Sequence, residues 1–112
     1  MKIIIVGCGN VGITLVEQLS KEGHDITIID EKESLVKQSS ESFDVMGLTG
    51  NGASLSVQME AGVNSADMLI AVTRSDELNL LCCLIAKKAG AKHTIARVSN
   101  PVYSREVEFI KE

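Results

Sequence analysis

The chain has 112 residues, 45% of them hydrophobic and 23% charged, which suffices for one domain around a single buried core. A formal charge of −4 without a block of like charges excludes a nucleic-acid-binding surface, and no apolar run reaches the roughly 18 residues that span a bilayer. Met1-Lys2 leads straight into an apolar block with no signal-peptide architecture, so a soluble intracellular protein is expected.

Lys2–Val6 (KIIIV) is a short β-branched run stopped by Gly7, the pattern of a strand buried on both faces. From Asn10 to Glu22 the apolar residues Val11, Ile13, Leu15, Val16 and Leu19 recur mostly at helical spacing, and Gly23 supplies a stop. The pattern repeats with a strand at Asp25–Ile29, a helix at Glu33–Ser40, a strand at Asp44–Leu48 and a short helix at Leu55–Ala61 before Gly62. Asp67–Val72 is the fourth strand, Ser75–Ala89 a long apolar helix closed by Gly90, and His93–Val98 the fifth strand. Asn100-Pro101 then provides a cap and a first-turn proline for a terminal helix carrying Val102, Val107 and Ile110. That helix has no obvious cover for its apolar face, which predicts a homodimer.

Strict alternation of strands and helices specifies an α/β fold: a Rossmann-like doubly wound parallel sheet of five strands in the order 3-2-1-4-5, with helices on both faces. The paucity of proline and aromatic residues beside nine glycines fits that class better than an antiparallel sandwich. The expected organisation is a single nucleotide-binding lobe over residues 1–112, without the sixth strand of a full Rossmann domain.

Gly7-Cys8-Gly9-Asn10-Val11-Gly12 matches G-x-G-x-x-G, directly after a buried strand and at the opening of a helix. Gly7 allows the tight turn, Gly9 a close approach to a pyrophosphate, and Gly12 tight packing of the helix on the sheet. The free N–H groups of the first helical turn then receive the anion without a lysine, and the absence of Gly-Lys-Ser/Thr argues against a P-loop NTPase. Asp30 follows 18 residues past Gly12, where its carboxylate can accept both ribose hydroxyls and repel the extra phosphate of NADP. The ligand expected is NAD, NADH, ADP or ATP, with NADP disfavoured. The loops after the other strands should converge on this edge, bringing Gly50, Asn51 and Gly52, the segment Thr73-Arg74-Ser75-Asp76, and Arg97, the last to pair with a phosphate.

The remaining reactive side chains have plainer readings. Cys8, Cys82 and Cys83 form neither an even disulfide set nor a metal-ligand pattern, and read as reduced thiols and small core residues. His24 and His93 read as turn or surface residues, and Asp76 and Glu77 as capping and dipole partners of the fourth helix. Leu78, Leu81, Leu84 and Ile85 are expected to face the sheet, with a dimer seam as the alternative for part of that helix.

The stretches MKIIIVGCGNVG, DITIID, GLTGNGAS, EAGVNSADMLIAVTRSDELNLLCCLIAKKAGA and TIARV together resemble the regulator-of-potassium-conductance (RCK, also KTN) domains over almost the whole chain. The run AVT-x-x-DE-x-N at Ala71–Asn79 is much more specific to these domains than the glycine motif. The resemblance implies a domain that senses adenine nucleotides, pairs into dimers and larger rings, and transmits the ligand state to a membrane potassium-transport subunit at the cytoplasmic side of the cell membrane. It places nucleotide contacts on Gly7, Gly9, Asn10, Val11, Asp30, Thr73, Arg74 and Arg97, with Gly50-Asn51 near the adenine or ribose. Family members commonly carry Gly-Asp-Ala where this chain has Gly50-Asn51-Gly52, and they follow this lobe with a crossover helix and a C-terminal ligand-sensing lobe that is not in this sequence. The rival function is the cofactor domain of an NAD-dependent dehydrogenase without its substrate domain, and a third is a pure scaffold. Hydride transfer needs a substrate pocket and an acid or base facing the nicotinamide, and the sequence offers neither.

Overall fold

A computed structural model describes residues 1–103 of the chain. The elements run β1 (Lys2–Val6), α1 (Asn10–Lys21), β2 (Asp25–Asp30), α2 (Glu33–Phe43), β3 (Met46–Thr49), α3 (Leu55–Glu60), a 3₁₀ turn (Val63–Ser65), β4 (Met68–Ala71), α4 (Asp76–Ala89) and β5 (His93–Ala96). The strands are all parallel and lie in the order β3-β2-β1-β4-β5, as the alternation predicts.

The two-residue period of a strand divides the core into two layers. Ile4 and Val6 of β1, Ile29 of β2, and Leu69 and Ala71 of β4 pack under Cys82, Cys83 and Ala86 of α4. Their neighbours Ile3, Ile5, Ile28 and Ile70 point the other way, against Val16 of α1 and Val36 of α2. β1 is central because its isoleucines have no exposed face at all, whereas the edge strands leave Met46 and Ile95 open to solvent.

Several boundaries differ from those expected. α2 continues to Phe43, because Phe43 packs onto the core and adds a turn, and it stops at Asp44, which takes the left-handed conformation with φ 52°. β3 therefore begins at Met46 and not Asp44, while β4 and β5 are shorter at their ends. Leu81 and Leu84 do not face the sheet: they are 46% and 58% exposed. The buried stripe of α4 is Asp76, Asn79, Cys82, Cys83 and Ala86, residues small enough to bring the helix close to β4, and this rotation turns both leucines outward.

At the last described residues the cap is as expected. Asn100 Oδ1 accepts from the Val102 N–H at 3.0 Å and the Asn100 carbonyl from the Tyr103 N–H at 3.0 Å, opening a helical turn at Pro101. Val107 and Ile110, assigned above to the face of that helix, lie outside the described residues.

All three thiols are buried. Burial, aided by the negative charge of Asp30, pushes the Cys8 thiol up to about 11, and burial pushes Cys82 to about 12 and Cys83 to about 11. They are neutral at physiological pH, the state of inert core residues and the opposite of an activated thiolate.

Candidate functional site

Backbone pairing continues one step beyond the strand ends. The Gly7 N–H donates to the Ile29 carbonyl at 2.8 Å, Val72 to Val6 at 2.8 Å, Gly50 to Asp30 at 2.9 Å and Arg97 to Ala71 at 2.9 Å. The loops after β1, β3, β4 and β5 thus leave the sheet at one level, around the switch point where chain order reverses beside β1.

Gly7 has φ +112°, and a Cβ there would lie 3.0 Å from the Thr73 nitrogen and the Val72 carbonyl carbon, so both conformation and space require glycine. A Cβ at Gly12 would overlap the Gly7 carbonyl oxygen: the helix closes against the start of its own loop, and of the three nearest atoms Val72 Cγ2, at 3.6 Å, is the one on the sheet side. Gly9 is different, since a Cβ there would meet nothing within 4 Å. It borders open space, the condition for a ligand to approach the backbone.

Gly9 is the N-cap of α1 and gives it no side-chain cap. The Ile13 N–H donates to the Gly9 carbonyl at 2.9 Å, which leaves the amides of Asn10, Val11 and Gly12 without helix partners. By contrast α3 and α4 are capped by serines, with Val57 N–H donating to Ser54 Oγ at 3.4 Å and Leu78 N–H to Ser75 Oγ at 3.1 Å. The uncapped helix opens onto the groove, and its dipole favours an anion.

Asp30 is held from two sides, its Oδ2 accepting from the Cys8 N–H at 2.8 Å and its Oδ1 from the Lys32 N–H at 2.9 Å. Each oxygen keeps accepting capacity for a hydroxyl, so the carboxylate is aimed before any ligand arrives. Cys8 therefore serves the site through Asp30, with its amide spent on that carboxylate.

Two clefts meet here. The larger, about 470 Å³, is lined by Gly7, Gly9, Asn10, Val11, Leu35, Val72 and Arg97, and the smaller, about 310 Å³, by Val6, Ile29, Glu31, Gly50, Gly52, Ser75 and Leu78. Asp30, Lys32, Thr73 and Arg74 line both, which makes one groove with an acidic centre and three cations along it. Of the residues singled out from sequence, Cys8, Gly12 and Asn51 do not line it. Asn51 Oδ1 instead accepts from the Ala53 N–H at 2.8 Å, the loop-closing bond that an aspartate would also make. Gly52 does line the groove, and a Cβ there would overlap Val6 Cγ1, so alanine is excluded unless Val6 moves. Ser75 lines the groove as part of the segment Thr73–Asp76 expected at this edge, whereas Glu31, Lys32, Leu35 and Leu78 were not assigned to the site; Lys32 had a signal, standing two residues beyond Asp30 at the exit of β2.

Asp76 and Glu77 both stand in the first turn of α4, where the dipole reading put them, but the capping role needs a correction. Ser75 is the cap, whereas Asp76, 7% exposed, reaches across the chain. Its Oδ1 accepts from the Ser99 N–H at 3.0 Å and its Oδ2 from the Asn100 N–H at 2.8 Å, tying the exit of β5 to α4. These bonds hold its carboxyl below the usual aspartate range. A depressed carboxyl stabilises the fold above its unfolded pKa, and that contribution disappears as pH falls through the lowered value. Asp76→Asn, which points an amide donor at one of these N–H groups, is expected to lower the neutral-pH melting temperature by a few degrees, with the gap narrowing in acid. A gap that stays constant in acid melts would refute this role. His24 and His93 lie before β2 and at the start of β5, at the opposite end of the strands from the groove.

Comparisons with known proteins agree with this geometry. A model of the TrkA-N domain matches residues 3–111. A Trk system potassium uptake protein TrkA homolog of Methanothermobacter thermautotrophicus is 39% identical over 101 residues, 90% of this chain and 47% of its own length. Another of that name from Archaeoglobus fulgidus is 47% identical over 103 residues, 92% of this chain and 23% of its own. The chain thus spans about half the length of the first relative and about a quarter of the second. Among solved structures, the GsuK channel bound to NAD superimposes with a TM-score of 0.82 at 21% identity, covering 96% of this chain and 20% of that one. The Shewanella denitrificans Kef CTD in AMP bound form does so with a TM-score of 0.73 at 22% identity, covering 85% and 57%. At these identities the superpositions speak for the fold, and the match along the sequence speaks for descent: the chain belongs to the TrkA-N domain family.

Proposed function

We propose that the chain is a nucleotide-binding regulatory lobe of a Trk-type potassium-uptake system, acting through binding and not as an enzyme, at the cytoplasmic face of a membrane transport subunit. The observation that carries this is the groove itself. Uncapped amides at Asn10 and Val11 share it with Arg97 and with a preset carboxylate at Asp30, a phosphate site beside a ribose site. The apolar wall of Val6, Ile29 and Leu78 beside Gly50 and Gly52 accepts a flat base. NAD or NADH fits this order of groups, as do ATP and ADP, while Asp30 works against the extra phosphate of NADP.

The relatives carry potassium-uptake names, and two structures of this fold are named as bound to NAD and to AMP. Regulation requires that the nucleotide bind two conformations of the protein unequally, since equal affinity shifts nothing. NADH against NAD, and ATP against ADP, are the natural pairs. Assembly as a homodimer or larger ring supplies the second conformation a lever on the transporter.

Isothermal titration of the chain with NADH, NAD, ATP, ADP and NADP tests the proposal. Micromolar binding of one adenine nucleotide with weaker NADP is expected. Absence of heat with all five, confirmed by unchanged melting at millimolar ligand, would overturn it.

A further inference from the structure

Asn79 is completely buried in α4 and uses every hydrogen-bonding position of its carboxamide on one target, the rim of the groove. Its Oδ1 accepts from the Thr73 N–H at 2.9 Å and the Thr73 hydroxyl at 2.7 Å. Its Nδ2 donates to the Thr73 carbonyl at 3.0 Å and the Arg97 carbonyl at 2.9 Å. One side chain therefore joins the residue that leaves β4 to the residue that leaves β5. Thr73 lines both clefts, and Arg97 brings a cation to the larger one.

A buried carboxamide costs free energy wherever a bond goes unmade, and an apolar residue in its place would take these partners from the Thr73 N–H and from the Thr73 and Arg97 carbonyls. Packing alone does not call for asparagine here. We infer that Asn79 is a positioning residue for the nucleotide: without touching it, Asn79 sets the span between Thr73 and Arg97 and so presents the Arg97 guanidinium to the phosphates. The inference rests on the nucleotide reading above. Its consequence is selective, because loosening Arg97 weakens the phosphate end and spares the base and ribose, which meet the groove at Asp30 and Gly50.

The test titrates ADP and adenosine against the unaltered chain, Asn79→Ala and Val63→Ala. Val63 is fully buried in the 3₁₀ turn that precedes β4, at the other end of the sheet from the groove, so its truncation lowers stability alone. The expected result is that Asn79→Ala loses about tenfold in ADP affinity and much less for adenosine, while Val63→Ala loses neither. Equal losses for ADP and adenosine, or the same losses in Val63→Ala, would make Asn79 a core residue only and overturn the inference. Failure of the unaltered chain to bind any of the five nucleotides would remove the nucleotide reading together with it; where NADH or ATP binds in place of ADP, that ligand takes ADP's part in the comparison with adenosine. Should Asn79→Ala not fold, NMR of the unaltered chain decides: saturation with ADP is expected to slow exchange of both Asn79 side-chain amide hydrogens, and unchanged exchange overturns the proposal.

Discussion

Alanine at Gly12 is expected to destabilise the chain by about 3 kcal/mol, although the same change inside an exposed helix normally stabilises by about 1 kcal/mol. Helix propensity loses this contest because the added Cβ would overlap the Gly7 carbonyl oxygen, a backbone atom fixed by the sheet through the Gly7 N–H bond to Ile29 at 2.8 Å. No flexible side chain is available to yield, so either α1 tilts away or the turn after β1 opens. Each movement dislodges the amides of Asn10 and Val11, and nucleotide affinity is expected to fall along with stability. Gly9→Ala is the informative contrast. Its backbone has φ −77°, ordinary for alanine, and its Cβ would enter empty space, so chemical denaturation should report only the loss of about 1 kcal/mol or less that alanine costs at an N-cap, while titration reports weaker binding. A Gly12→Ala chain as stable as the parent would show that the loop gives way cheaply, and would remove the packing argument for this glycine.

The second large effect belongs to Asp30. Asp30→Ala is expected to reduce NADH and ADP affinity about a hundredfold, the scale of two charge-assisted hydrogen bonds to ribose hydroxyls lost together. The carboxylate has a second duty, receiving the N–H groups of Cys8 and Lys32, so a loss could arise from a disturbed loop with no ribose contact at all. NADP separates the two causes. Removing Asp30 also removes a negative charge from the place where the extra phosphate would sit, so NADP is expected to lose far less than NADH and the preference between them to shrink. Equal losses for NADH and NADP would assign the effect to the loop and refute the ribose role.

The groove shows which properties of the site are legible in a sequence. Gly7, Gly9 and Asp30 were legible because strand, glycine turn and helix follow one another at fixed spacing, and the parallel register brings the end of β2 beside the turn after β1. Arg97 and Thr73 were legible one step less directly, through the rule that loops at the carboxyl ends of a doubly wound sheet converge. Asn79 was visible as a letter in the run Ala71–Asn79 and silent as to its work, since its partners Thr73 and Arg97 meet only when β4 and β5 lie side by side. Asp76 misled for the same reason: its position in the first turn of α4 suggested a cap, and its bonds go to residues 23 and 24 positions away.

By itself the sequence determined the α/β class, the strand order and the placing of the glycine loop between β1 and α1, because these follow from local signals: β-branched runs, helical periodicity and glycine turns, combined under the handedness of parallel crossovers. Only the tertiary structure decided the rotation of α4 that exposes Leu81 and Leu84, the capture of the Cys8 amide by Asp30, the bond that closes Asn51 on its own loop, and the clamp that Asn79 places on two strand exits. The physical reason is one of range. Spacing along the chain fixes which residues share an element, whereas small differences in packing volume and the satisfaction of buried polar groups decide which way each side chain finally turns.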